Sequence, residues 1–255
     1  MPSDPRCEYR PVRGSKAARV VVLSPHFDDA PLSLGQSMLD GELAAEREAV
    51  GRVLVGVVFG RTNWQRWFHP TARRAPIVSA IRRAEELENA RRFGYRIKVA
   101  TNAEVILRTG DMDSATFLDP GLELSNDLLD DDLVEEIAAS IQPWTSEASR
   151  VIAPLGLGGH VDHRLVREAA RRIVSPDRLE FFEDRPYASY LSDADIATMA
   201  HHLDAVLAAH DMSPADTRPK TAKCWYPSQF DPYFLDAMAA DYQAARPERV
   251  WRHPR

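Results

Sequence analysis

The chain has 255 residues, 44% hydrophobic and 27% charged, which is ordinary for a soluble globular protein and far from a disordered one. Its formal net charge of -6 gives no basic footprint, so nucleic acid is not an expected partner. The two cysteines, Cys7 and Cys224, match no metal or redox spacing, and no apolar run reaches signal-peptide or membrane-span length; a cytoplasmic protein without a membrane partner is expected. Homo-oligomerisation is left open by composition.

Residues 1–18, rich in Pro, Arg and Ser, read as a loose arm, and 19–255 as a single domain. Ala18 to Ser24 is a continuous β-branched run, the mark of a parallel strand buried on both faces. A helical pattern follows over Pro31 to Glu48, then a second strand over Arg52 to Phe59. Gly60 to Pro76 reads as a loop carrying Trp64, Trp67, Phe68 and His69. A strong helix spans Ile77 to Phe93 and closes at Gly94, a natural C-cap. The third strand is either Ile97 to Ala100 or Val105 to Leu107. A turn-rich stretch, Gly110 to Asn126, precedes a helix from Asp130 to Ile141, and Asp130, Asp131 and Asp132 suit its N-terminus better than a metal site. Arg150 to Pro154 is a short strand, Asp162 to Val174 a helix, and Glu180 to Glu183 a further strand. Helices over Asp193 to His210 and Pro232 to Ala245 complete the chain. This alternation predicts an α/β fold: a Rossmann-like, mostly parallel sheet with helices on both faces.

Ligands of such sheets sit beyond the carboxyl ends of the strands. Two motifs fall there. Ser24-Pro25-His26-Phe27-Asp28-Asp29 brings an imidazole and two adjacent carboxylates to a strand end, with no basic residue beside them. A divalent cation relieves that repulsion, although aspartate is also favoured as a helix cap. Gly158-Gly159-His160-Val161-Asp162-His163 follows the fourth strand through a glycine-rich turn. Imidazole and carboxylate donors suit zinc, three of them leaving a position for water. Cobalt, nickel or iron would also be accepted by such donors. Spacing alone does not say whether His160 or His163 holds the metal, nor how Asp28 and Asp29 divide their work.

The pair His26-Phe27-Asp28-Asp29 and His160-Val161-Asp162-His163 resembles the PIG-L, or LmbE-like, family of zinc-dependent N-acetylglucosaminyl deacetylases. That family shows His-Pro-Asp-Asp-Glu after its first strand and His-Pro-Asp-His late in the domain. Arg83-Ala84-Glu85-Glu86-Leu87, Phe182-Glu183-Asp184-Arg185-Pro186-Tyr187 and Tyr226-Pro227-Ser228-Gln229 resemble further family segments, so the likeness covers about residues 18–230. It implies an LmbE-like fold and a metal-dependent deacetylase of a small-molecule N-acyl amine, an amino sugar or a conjugate of one. It also implies zinc ligation by His26, Asp29 and His163. Asp28 is then the general base, and a cationic His160 stabilises the oxyanion. Asp162 is expected to orient a ligand histidine. Arg83, Asp119, Asn63 and Trp64 are the expected substrate contacts. Two residues depart from the pattern: Phe27 stands where the family has proline, and Ala30 where it has glutamate. The resemblance does not make that glutamate a ligand, so hydrolysis is expected to survive while the range of amides widens to non-sugar substrates.

Overall fold

The computed structural model describes residues 20–43, 53–113, 118, 129–213 and 216–254. The expected arm, 1–18, and Asp119 lie outside the described residues. Seven strands form one sheet in the order β3-β2-β1-β4-β5-β7-β6. The parallel part is β1 (Val20–Ser24), β2 (Val53–Val57), β3 (Arg96–Val99), β4 (Arg150–Pro154) and β5 (Leu179–Phe182). Two antiparallel strands, β6 (Ala208–Asp211) and β7 (Arg249–Arg252), extend it at the β5 edge.

The run in β1 works as its composition predicts. Val21 and Leu23 pack into one apolar cluster and Val20 and Val22 into another, so both faces of the strand are buried. Helices α1 (Asp29–Asp40) and α2 (Ala75–Phe93) contribute Leu34, Ala90 and Phe93 to the second cluster. Helices α4 (Asp131–Thr145), α5 (Val161–Ile173) and α6 (Asp193–Leu203) contribute Ile137, Val166 and Ile196 to the first. Two short helices, α3 (Val105–Thr109) and α7 (Arg218–Lys223), and α8 (Pro232–Gln243) complete the set among the described residues.

Several boundaries differ from expectation. Helix α1 stops at Asp40, where Gly41 adopts a φ of 78°, and the rest of the helix expected to Glu48 lies largely outside the described residues. The third strand is Arg96–Val99; Val105 to Leu107 is helical, closed by Gly110 at a φ of 72°. A short apolar run does not by itself distinguish helix from strand. His210 is not helical: α6 ends at Leu203, and His210 pairs with Val250 of β7. Asp130 caps α4, accepting from the Asp132 and Leu133 N–H groups, which bears out the structural reading of the acidic run.

Strand order reverses between β1 and β4, which are neighbours in the sheet. Such a switch point leaves a crevice beyond the strand ends. Both motifs open into it.

Candidate metal centre and active site

The turn after β1 is fixed by its own side chains. The Ser24 hydroxyl donates to the His26 carbonyl at 2.7 Å and accepts from the Ala30 N–H at 3.1 Å. The His26 N–H donates to the Asp29 carboxylate at 2.6 Å. Asp28 occupies the N-cap position of α1, yet its side chain makes no capping bond. It reaches instead to Arg82 of α2, at 3.0 Å, inside the cavity. That contact decides against simple helix capping. Ala30 is fully buried in the second apolar cluster, and the cavity lining does not include it.

The turn after β4 needs its glycines. Gly158 has a φ of 76°, and a Cβ there would run into the Tyr187 ring. The chain then enters α5, which carries Asp162 and His163 in its first turn.

These turns bring His26, Asp29 and His163 together, with their ligand atoms all within 4.8 Å of one another. Asp29 lies between the imidazoles, 3.4 Å from His26 Nδ1 and 3.5 Å from His163 Nε2. The remaining nitrogen of each ring is held by an outer carboxylate: His26 Nε2 by Asp162 at 3.0 Å, and His163 Nδ1 by Asp184 at 2.6 Å. That arrangement orients the imidazoles of metal sites. A second group, His26, His160 and Asp162, is equally compact. Asp162, however, is already engaged by the Val105 N–H at 2.9 Å and by Arg108 at 2.8 Å. It is placed to orient, which leaves the first triad as the better donor set.

The electrostatics fit a cation in that triad. Burial opposes charge on His26, but hydrogen bonds to Asp162 and Asp29 outweigh it and raise the imidazole to about 10. Burial also opposes charge on Asp29, and His163 and His26 reverse it, holding this carboxyl well below the usual range. Positive charge is therefore wanted between these groups, and a divalent ion supplies it. Two imidazoles and a carboxylate, each with an outer partner where a partner is needed, are a zinc-type donor set.

Beside the triad lie Asp28 and His160. Burial pushes the Asp28 carboxyl up, and Arg82 offsets only part of that shift. Burial, reinforced by the His26 charge, pushes His160 well below the ordinary imidazole value. The Asp162 N–H donates to its Nδ1 at 3.2 Å, so the ring proton sits on Nε2.

A cavity of about 330 Å³ opens over this floor. Trp64 lines it, whereas Asn63 is buried, lies outside the lining and has an Oδ1 with no hydrogen-bond partner among the described residues. Arg83 is exposed and outside the lining; the arginine that faces the cavity is Arg82. Two consecutive arginines and two consecutive glutamates leave the Arg-x-x-Glu frame ambiguous by one residue. The buried stripe of α2, with Val78, Arg82, Glu85, Asn89 and Phe93, has the helical period that selects Arg82. Sequence reasoning also gave no role to Asp184, Glu104, Arg108 or Tyr187. Asp184 lay within a segment already singled out, and its carboxylate also accepts from the Gly156 and Leu157 N–H groups at 2.7 and 3.0 Å. His201, His202 and His210 are exposed on α6 and β6 and line no part of the cavity.

The sheet order and the paired His/Asp turns are those that the resemblance to LmbE-like, PIG-L-type proteins implies. No protein-family model matches the chain. It is 34% identical over 188 residues to 2'-N-acetylparomamine deacetylase of Streptomyces fradiae, an alignment covering 71% of this chain and 62% of that relative. Among solved structures, the zinc inhibited form of teicoplanin deacetylase Orf2 matches with a TM-score of 0.61 at 21% identity, covering 91% of this chain and 97% of that one. The 4-carboxy-2-hydroxymuconate hydratase GalB of Pseudomonas putida KT2440 matches with a TM-score of 0.52 at 14% identity, covering 92% and 96%. The structural likenesses establish the fold, and the fold serves both a deacetylase and a hydratase.

Proposed function

We propose that the chain is a metal-dependent amidohydrolase that removes an N-acyl group, N-acetyl in the simplest case, from an amino sugar or a conjugate containing one. The observation that carries this reading is the buried triad His26, Asp29 and His163, whose His26 lines a cavity together with the buried carboxylate of Asp28 and the imidazole of His160. The 34% identical relative, a 2'-N-acetylparomamine deacetylase by its name, supports it. The fold alone does not, since a hydratase shares it.

His26, Asp29 and His163 hold the ion, zinc being the first choice for these donors. When bound there, the ion polarises the acyl carbonyl and acidifies a water. Asp28 takes a proton from the attacking water, a role suited to a carboxyl raised by burial. Arg82 fixes the direction of that carboxylate. His160, whose Nδ1 accepts from the Asp162 N–H, donates from Nε2 in a hydrogen bond to the developing oxyanion. Asp162 and Asp184 keep the two ligand imidazoles in their tautomers. Trp64 borders the substrate end, Arg82 replaces Arg83 there, and Asn63 stands behind Trp64 outside the lining.

A second reading keeps the chemistry and changes the substrate to a non-sugar amide. The apolar flank formed by Val105, Ile106, Met112 and Phe234 favours it. Bacterial secondary metabolism and a cytoplasmic setting accord with either substrate; among the described residues no helix is long and apolar enough to cross a membrane.

The test is acetate release from a panel of N-acetyl amino sugars and N-acetyl aryl amines by the metal-loaded chain. Release that stops on chelation and returns with zinc supports the proposal. No release from any amide with zinc, cobalt, nickel or iron defeats it. Turnover confined to the aryl amides selects the second reading.

A further inference from the structure

One carboxylate in the cavity has no work in the proposed chemistry. Glu104 lines the wall and is 5% exposed. It stands at the N-cap of α3 in extended backbone, but its side chain makes no capping bond. The carboxylate turns instead toward α2 and the loop before it. Oε2 lies 3.5 Å from Arg82, and Oε1 accepts a short hydrogen bond from the Thr62 hydroxyl.

The distribution of cations around the cavity sets Glu104 apart. Asp162 is paired with Arg108 at 2.8 Å, and Asp184 and Asp29 face imidazoles. Arg82 is the one lysine or arginine that lines the cavity among the described residues, and it sits closer to Asp28, at 3.0 Å. Two buried carboxylates thus share one guanidinium, with Glu104 the more distant partner. Burial accordingly pushes the Glu104 carboxyl up, against the pull of Arg82. A buried carboxylate short of a cation is costly unless a ligand completes it.

Glu104 is held by the segment 61–64. Its N–H donates to the Arg61 carbonyl at 2.9 Å, beside the Arg61–Ala103 bridge. Thr62, which binds the carboxylate, also accepts from the Trp64 N–H at 3.0 Å. Trp64 lines the same cavity and is 37% exposed. A carboxylate and an indole that line one cavity are the pair of groups that recognises an ammonium ion.

We propose that Glu104 and Trp64 form a subsite for a second, free ammonium group on the substrate, so that the chain selects N-acyl amines that carry a further amine. The position of the scissile amide rests on the amidohydrolase reading; the ammonium subsite is tested by binding alone. The probes are two amines that resemble deacylated products: glucosamine, and the diaminohexose in which its terminal hydroxyl is replaced by an amine. Each is titrated calorimetrically into the metal-loaded chain, and the readout is the ratio of the two affinities.

The wild-type chain binds the diamine roughly tenfold tighter, as a charge-assisted hydrogen bond in a buried wall supplies. Glu104→Gln, which keeps the shape and the Thr62 contact, brings the ratio close to one. Trp64→Leu, at a position exposed enough to leave folding intact, lowers the ratio about two- to fivefold. Equal binding of both amines by the wild type overturns the proposal, and so does a wild-type ratio unchanged in Glu104→Gln or, should that variant not fold, in Trp64→Leu. Lack of acetate release defeats the amidohydrolase reading and leaves this ratio to be read independently.

Discussion

The floor of the cavity and its walls are assembled in opposite ways. The floor comes from two short stretches, 26–29 and 160–163, each close behind a strand of the parallel sheet. The walls come from distant segments: Trp64 in the loop after β2, Arg82 on α2, Glu104 to Ile106 around α3, and Gln229 and Phe234 near α8. The sheet presents the floor groups as a consequence of strand order. The wall groups meet only through tertiary packing. Substitutions in the floor should therefore strike turnover and metal binding, and those in the walls should strike selectivity and stability.

Asp28→Asn is the strongest attempt to break this division. Removal of a general base costs about a hundred- to ten-thousandfold in rate. The variant should lose acetate release by that factor while its metal content, measured by atomic absorption, stays at the wild-type level. Turnover within a few-fold of wild type would remove Asp28 from the reaction.

Asp184→Asn tests how far the floor extends. Asp184 holds His163 Nδ1 at 2.6 Å and two backbone N–H groups behind it. Loss of such an outer partner weakens metal binding by about 10–100-fold. Competition with a chromogenic chelator measures it, and undiminished affinity would confine the centre to the three ligands.

The same division explains what could be read from the sequence. The β-branched run 20–24, the His and Asp groups behind it and the glycine turn before His160 are local patterns, and local patterns fixed the sheet and the floor. Spacing alone left the roles of His163 and His160 open; the engagement of Asp162 by Arg108 and the Val105 N–H favours His163 as the ligand. Asp184 was out of reach because it lies 21 residues from the histidine it holds. The burial that pushes the His160 imidazole down is likewise not visible in a motif. Strands β6 and β7 escaped notice because they are four residues each and pair across a long stretch of intervening chain.

Behind the walls, Glu86 gives a smaller effect that is set by pH. Its buried carboxylate accepts hydrogen bonds from the Tyr95 and Tyr226 hydroxyls at 2.8 and 2.6 Å, tying the segment before Gln229 onto α2. Burial raises this carboxyl from 4.5 to about 8, the two hydroxyls opposing only part of the shift. The folded chain then holds a proton that the unfolded chain has already released. Stability should fall as pH rises from 4.5 and level off above about 8. Denaturant midpoints across that range measure the slope. Glu86→Gln should flatten it, and an unchanged slope would place the titrating group elsewhere.

The smallest expected effect is also the sharpest test of the wall, because it concerns adjacent residues of one type. Arg83 is exposed on α2, whereas Arg82 is 3% exposed between Asp28 and Glu104. A helix turns about 100° per residue, so neighbours cannot serve the same face. Arg83→Met should leave stability within about 0.5 kcal/mol, as surface changes do. Arg82→Met serves as the contrast: it strands two buried carboxylates, a loss of the kind that costs about 3–5 kcal/mol. Thermal unfolding and acetate release measured side by side give the comparison. Equal losses in the two variants would show that the frame of the motif, and not the buried stripe of α2, selects the arginine.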